Sequence, residues 1–166
     1  MEVLLANAKV GTIVPLYREE NKYYIDESNL DNLVFLDNGT QFVITSEKSG
    51  YMHLYLYDLN GRERQAITKG NFDIIDFYGY DPVRKLFYYS SYEESPLEKY
   101  IYSINEKGLK KKLTPVKGWN EASFSKNFNY YINVVSNTDT PPVTALYNAK
   151  GKQVRVLEDN KAVKEA

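Results

Sequence analysis

Phe35-Leu36-Asp37-Asn38-Gly39-Thr40-Gln41-Phe42-Val43-Ile44-Thr45-Ser46 runs into Glu47-Lys48-Ser49-Gly50, then into Tyr51-Met52-His53-Leu54-Tyr55-Leu56-Tyr57-Asp58-Leu59-Asn60-Gly61, and closes on Gln65-Ala66-Ile67-Thr68. Four short strand-like runs are separated by three turn signals. Asn38-Gly39 offers the positive φ of a tight hairpin, Lys48-Ser49-Gly50 is the second turn, and Asp58-Leu59-Asn60-Gly61 is the third. Three hairpins in succession make a four-stranded antiparallel meander.

The block recurs. Asp37, Asp81 and Ser125 open first turns at steps of 44 residues, and Tyr57, Tyr102 and Tyr147 end third strands at steps of 45. Gly61, Gly108 and Gly151 close third turns, and Thr68 and Thr114 end fourth strands. A period in the forties with four strands per unit is the signature of a β-propeller blade. The expected fold class is therefore all-β, a partial β-propeller of about three and a half blades.

Read in order, residues 2–17 are half a blade: a third strand, the turn Asn7 to Gly11, and a fourth strand. Residues 18–32 are polar, with Tyr23-Tyr24-Ile25 as a candidate edge segment and Asp26-Glu27-Ser28-Asn29 as a loop. Whole blades are expected at about 30–68, 72–114 and 119–157, so that the propeller part spans 1–160. Runs such as Phe42-Val43-Ile44 suit strands buried on both faces. Thr140-Pro141-Pro142 reads as a rigid loop, because proline has no donor for a ladder. Residues 161–166 favour helix, with Asn160 as the expected cap, and read as the start of a linker. A closed propeller needs roughly four to eight blades. The chain thus reads as an excised part of a larger ring whose two end blades lack covers.

The 166 residues carry 21 basic and 22 acidic side chains, a net charge of −1. That balance argues against a strong pull toward nucleic acid or anionic lipid, so neither is expected as a partner. A hydrophobic content of 43% is globular, and 16 tyrosines suit half-wet strand positions. Without cysteine there is neither disulfide nor thiolate metal site. No signal-peptide pattern and no bilayer-length apolar run follow Met1, so the expectation is either a cytoplasmic protein or a targeting segment outside these residues.

Candidate chemistry is sparse. An acyl-transfer hydrolase needs a Gly-x-Ser-x-Gly elbow with a histidine and an acid. That elbow does not occur, and Gly50, Gly61, Gly70 and Gly79 read as turn or linker residues. The one histidine, His53, lies on a third strand, where packing is the ordinary role. Glu19-Glu20 and Glu93-Glu94 read as hydrated loop pairs. Lys110-Lys111-Lys112 lies on a fourth, outer strand, where lysines blunt an edge against pairing. Asp58-Leu59-Asn60-Gly61 brushes a calcium-loop pattern but lacks the later ligands. Asn38-Gly39-Thr40 is a glycosylation triplet placed in a tight turn. Trp119, Tyr88-Tyr89 and Tyr130-Tyr131 offer a stacking platform for sugar or peptide, against the commoner role of packing between blades. No catalytic, cofactor or metal residue is assigned, and substrate-binding residues stay open.

Ser46-Glu47-Lys48-Ser49-Gly50-Tyr51-Met52-His53-Leu54-Tyr55 resembles a blade of the dipeptidyl peptidase IV family. The resemblance continues through Ile67-Thr68-Lys69-Gly70, Phe87-Tyr88-Tyr89-Ser90-Ser91 and Ala122-Ser123-Phe124-Ser125-Lys126. It ends on Arg155-Val156-Leu157-Glu158-Asp159-Asn160. It covers essentially the whole chain, and its tyrosine-rich style resembles bacterial members of the Bacteroides type. The family implies serine exopeptidases that remove Xaa-Pro or Xaa-Ala dipeptides from peptide N-termini. Catalysis lies in an α/β-hydrolase domain that follows an eight-bladed propeller. It also implies a periplasmic or cell-surface location. The family's catalytic Ser, Asp and His have no counterpart here. Its double-glutamate motif lies earlier in the propeller, so neither Glu19-Glu20 nor Glu93-Glu94 takes that role.

The resemblance implies a non-catalytic piece that helps wall a substrate chamber and docks the hydrolase domain. The polar loop Asp26 to Asn29 is an expected contact to that domain, and a homodimer through uncovered blade faces is the expected self-association. The alternative is a scaffold propeller of a periplasmic complex, with no enzymatic role. A free-standing sandwich of about fourteen strands is the remaining rival, opposed by the regular step.

Overall fold

The computed structural model describes residues 1–26, 32–36 and 39–164. The chain divides into two compact units, Met1–Gly70 and Asn71–Ala166. Asp37 and Asn38 of the first expected hairpin, Asn38 being the acceptor of the glycosylation triplet, fall outside the described residues, as do Glu27 to Asn29 of the polar loop.

The first unit begins with an antiparallel hairpin of β1 (Glu2–Ala6) and β2 (Ile13–Arg18). Tyr23-Tyr24-Ile25 forms no strand. β3 (Val34–Phe35), β4 (Gln41–Ser46), β5 (His53–Asp58) and β6 (Glu63–Ala66) then form a meander in chain order. Leu16 and Tyr17 of the hairpin pack with Phe42, Ile44, Tyr55 and Tyr57 of the meander, joined by Val3 and Leu5. Phe42, Val43 and Ile44 are all 0% exposed, so β4 is buried on both faces. That is why its sequence is continuously apolar instead of alternating.

The second unit holds two more meanders. β7 (Ile74–Asp81), β8 (Leu86–Ser95), β9 (Glu98–Ile104) and β10 (Lys110–Lys112) form the first. β11 (Trp119–Phe124), β12 (Tyr130–Asn137), β13 (Thr140–Asn148) and β14 (Gln153–Glu158) form the second. The two are not separate ladders, because one parallel bridge pairs Trp119 with Lys99. There the Lys99 N–H donates to the Gly118 carbonyl at 3.1 Å. Tyr88, Ile101 and Leu113 of the first meander pack on Tyr131, Ala145 and Tyr147 of the second.

The periodic landmarks have local causes. Asn7, Asp58, Asn105 and Asn148 each accept, at Oδ1, the N–H two residues on, at 2.9, 2.9, 3.0 and 3.0 Å. Gly11, Gly61, Gly108 and Gly151 follow at φ of 71°, 74°, 78° and 79°, a conformation glycine enters without a Cβ penalty. Thr68 and Thr114 accept the N–H of Leu54 and Ile101 through Oγ1, at 3.0 Å each. Tyr102 departs from the expected pattern. Counted back from the turn glycines, Ile104 is the counterpart of Tyr57 and Tyr147, and Tyr102 sits two residues earlier. Because strand side chains alternate, Tyr102 still lies on the same face, where it stacks on Tyr89 at 5.4 Å.

Three further expectations are corrected. Gly79 is inside β7, where its pairing slips, and not in a turn. Thr140-Pro141-Pro142 opens β13 instead of forming a loop, with the prolines at the strand's first positions, where a missing donor costs least. α1 (Lys161–Lys164) follows β14, but the Asn160 side chain does not cap it. Asn160 Nδ2 donates to the Pro142 carbonyl at 2.7 Å, and the Asp159 carboxylate accepts the Lys161 N–H at 3.2 Å. The chain is all-β apart from this turn of helix: a partial β-propeller made of one half blade and three four-stranded blades.

Candidate functional site

Residues from four strands of the second unit converge at the edge where β7, β9 and β11 begin. Lys99, the second residue of β9, is buried. Its ammonium lies 3.1 Å from Asp76 Oδ2 of β7 and 3.6 Å from Glu121 Oε1 of β11. The Trp119 ring stands 4.8 Å from the same nitrogen, and the indole N–H donates to Glu121 Oε1 at 3.2 Å. Ser90 of β8 donates its hydroxyl proton to Asp76 Oδ2 at 2.7 Å, while its oxygen accepts the Asp76 backbone N–H at 3.0 Å. The Tyr78 hydroxyl adds a long contact to Asp76 Oδ2 at 3.4 Å.

Asp76, Tyr78, Lys99 and Glu121 border a cavity of about 310 Å³, whose other walls include Ser123, Ile132 and Val134. One ammonium between two carboxylates leaves the cavity with one net negative charge. Burial alone would raise the Asp76 carboxyl, but the Ser90 hydroxyl and the Lys99 ammonium outweigh it and hold the carboxyl below its ordinary value. Burial, with the Asp76 carboxylate nearby, raises the Tyr78 phenol, so Tyr78 acts as a neutral donor. Ser90 is fully enclosed and its proton is committed to a carboxylate, so it serves as a clamp and not as a nucleophile. The cluster also ties two blades together, since the Asn120 amide donates to the Lys99 carbonyl at 2.8 Å. β14 ends level with the cluster: Glu158 pairs with Thr144 at the middle of β13, Thr144 with Val134, and Val134 with Glu121.

The residues singled out in the sequence are dispersed. His53 is buried, with Nδ1 3.1 Å from the Thr68 hydroxyl and Nε2 3.0 Å from the Gly70 carbonyl. Each glutamate pair has one enclosed member, Glu19 or Glu93, and one exposed member, Glu20 or Glu94. Glu19 is buried, accepting from the Tyr17 and Ser46 hydroxyls at 2.5 and 2.8 Å, and only Glu20 faces solvent, beside Arg18. Glu93 and Glu94 lie on β8. They meet Lys110 at 2.5 Å and Lys112 at 2.8 Å, so their charges are spent on the β10 lysines. The Lys112 bond holds the Glu94 carboxyl below its ordinary value. Lys111 donates to the Lys150 carbonyl at 2.8 Å. Asp58 spends Oδ1 on the N–H groups of Asn60 and Arg62, which is turn chemistry. Tyr88, Tyr89 and Tyr131 are buried, so the aromatic pairs make no continuous platform, although Tyr130 and Trp119 stay exposed.

Sequence reasoning missed Asp76, Lys99 and Glu121. Each lies in a strand more than twenty residues from its partner, and no local pattern couples them. The one available signal was Lys99 itself, a lysine directly before the apolar run Tyr100-Ile101-Tyr102.

Residues 1–142 match the family model described as the dipeptidyl peptidase IV (DPP IV) N-terminal region. A probable dipeptidyl peptidase 4 of Aspergillus flavus is 30% identical over 150 residues, 82% of this chain and 19% of that protein. The dipeptidyl peptidase 4 of Trichophyton rubrum is 29% identical over 149 residues, again 82% of this chain and 19% of that protein. The crystal structure of Porphyromonas gingivalis dipeptidyl peptidase 4 is similar over 99% of this chain and 23% of that one, with a TM-score of 0.92 and 38% identity. The chain thus spans about a fifth of the length of these curated relatives.

Proposed function

The chain belongs to the family of the dipeptidyl peptidase IV N-terminal region, and from that premise we propose that it is the non-catalytic propeller portion of a dipeptidyl peptidase IV-like serine exopeptidase. In this reading the parent enzyme removes Xaa-Pro or Xaa-Ala dipeptides from peptide N-termini. The blades described above wall the substrate chamber. The edge carrying Lys99, Trp119 and α1 meets the hydrolase domain. The observation that carries the reading is the family match over residues 1–142. The departure of β14 and α1 at the edge bearing the charged cluster supports the docking direction.

The test is a chimera. This chain replaces the matching segment of Porphyromonas gingivalis dipeptidyl peptidase 4, and Gly-Pro-p-nitroanilide hydrolysis is followed for the chimera and for the chain alone. The expected result is hydrolysis by the chimera and none by the chain. A chimera with native circular dichroism but no activity, or hydrolysis by the chain alone, would overturn the assignment.

A further inference from the structure

Charge is not spread evenly over the second unit. An antiparallel meander places its first and third turns at one end of the sheet and its second turn at the other. Here the first and third turns are residues 82–85 and 105–109 of one meander and 125–129 and 148–152 of the next. Phe87 pairs with Ile104 and Tyr130 with Asn148, so the two turns of each meander stand level. Bonds stitch the turns together. Arg84 donates to Asn129 Oδ1 at 2.5 Å, the Ala149 N–H donates to the Asn129 carbonyl at 2.9 Å, and Lys111 reaches the Lys150 carbonyl at 2.8 Å.

These four turns carry six basic side chains, Arg84, Lys85, Lys107, Lys126, Lys150 and Lys152, all exposed, against one acid, Glu106. Asp81, at the end of β7, answers Arg84 at 2.6 Å, and among the described residues no ion pair engages the five lysines. Asp76, Glu98, Glu121, Asp139 and Asp159 lie toward the other end of the sheets. The net charge of −1 therefore hides a polarised unit. Exposed charges more than about 8–10 Å apart are largely screened at physiological salt, so a surface approaching the turns meets the lysines and not the total. The expectation that set anionic lipid aside used the balance of the whole chain, which carries no information on where the charges gather.

The same end has apolar tips. Val83 is 86% exposed and Leu109 69%. Neither side chain shapes its turn. Asp81 Oδ1 accepts the N–H groups of Val83 and Arg84 at 2.9 and 3.1 Å, and Asn105 Oδ1 accepts those of Lys107 and Leu109 at 3.0 Å each. Aliphatic side chains held out in water among lysines suit a membrane surface: the tips enter the boundary of headgroups and acyl chains, and the ammonium groups meet lipid phosphates. A nucleic acid would give the lysines the same phosphates. It would leave Val83 and Leu109 without a partner, since it is read by stacking on aromatic rings or by hydrogen bonds at base edges.

We propose that the turn end of the second unit is a docking surface for a bilayer with anionic phosphate headgroups. Val83 and Leu109 enter the headgroup boundary, and Lys85, Lys107, Lys126, Lys150 and Lys152 stand over the headgroups. The Lys99 cluster, at the other end of its strands, then faces away from the lipid. The proposal stands on the turn end alone and does not need the peptidase reading.

Binding is measured by co-sedimentation with vesicles of equal parts phosphatidylcholine and phosphatidylglycerol, against vesicles of phosphatidylcholine alone. The chain should bind the first and not the second, and about 0.5 M sodium chloride should weaken the binding strongly. Each lysine near an anionic surface changes partition about fivefold, so Lys126→Gln with Lys150→Gln should weaken binding about thirtyfold. Lys117→Gln with Lys161→Gln makes the same change in net charge at the other end and should stay within about twofold of the parent. Val83→Ser with Leu109→Ser should weaken binding about tenfold, through lost apolar burial. All six positions are exposed, so each variant should keep the parent's circular dichroism. The ratios are measured in the chain alone and in the Porphyromonas chimera, so that the test does not depend on the chain folding by itself. Equal weakening by the two lysine pairs would overturn the proposal, by showing that net charge and not the turn end is read. Unchanged binding in the Val83 and Leu109 variant would overturn it as well. Tighter binding to a DNA duplex than to the anionic vesicles, lost with Lys126 and Lys150, would overturn it in favour of nucleic acid.

Discussion

Thr114→Val is the sharpest probe of why the repeat has the residues it has. Thr114 is buried and its Oγ1 accepts the Ile101 N–H at 3.0 Å, in the core where Ile101 is itself buried. Valine has nearly the same shape, so the change opens no cavity and removes only the acceptor. An enclosed N–H then has no partner, which costs about 1–3 kcal/mol, more than the roughly 1 kcal/mol that a satisfied hydrogen bond contributes net. For a chain of this size each kcal/mol lowers the melting midpoint by about 2–4 °C. Thr114→Val should therefore melt roughly 2–12 °C lower by circular dichroism. The amide of Ile101 should exchange with deuterium faster by about 5- to 150-fold, the same energy read locally. Thr114→Ser keeps the hydroxyl and should lie within about 1 kcal/mol of the parent. If Thr114→Val matches the parent within about 0.5 kcal/mol in urea titration, with unchanged exchange at Ile101, the hydroxyl does not explain the threonine.

Thr68→Val should cost more than Thr114→Val in the same urea titration, because Thr68 bonds both the Leu54 N–H and the His53 ring. Gly118→Ala should be worse than Gly79→Ala. At Gly118, φ is 132° and a Cβ would overlap the Ser136 backbone carbonyl; at Gly79, φ is 127° and the Cβ would meet the tip of the Phe128 ring at 2.9 Å, which can give way. Costs of at least about 3 and about 1–3 kcal/mol are expected, and the reverse order in chemical denaturation would count against the packing described. Acid should weaken the second unit through Asp76. Its carboxyl is depressed when folded, so its stabilising contribution is full above the unfolded value of about 4 and is lost as pH falls through the folded value. Lys99→Met removes one cause of the depression and should move the acid-unfolding midpoint to higher pH; a midpoint that stays put would show that the ion pair does not matter.

The strand–turn–strand pattern and its period were legible because their causes are local. An Asx side chain that captures the N–H two residues on, followed by a glycine at positive φ, depends only on neighbours along the chain. It is therefore written the same way at Asn7, Asp58, Asn105 and Asn148. The continuous apolar run of β4 likewise announces burial on both faces. Tyr102 was legible only to its face and not to its register, because alternation conserves the face when a residue moves by two. Partnership was decided by the tertiary structure. Asp76 and Lys99 lie on strands that meet only after two hairpins have closed. Glu93 and Glu94 become neutralised only when β10 pairs with β9. Local backbone chemistry acts over a few bonds and leaves its mark in the order of residues. Charge pairing and covering act across space, and the same residue can be solvated, paired or buried according to which strand folding brings beside it.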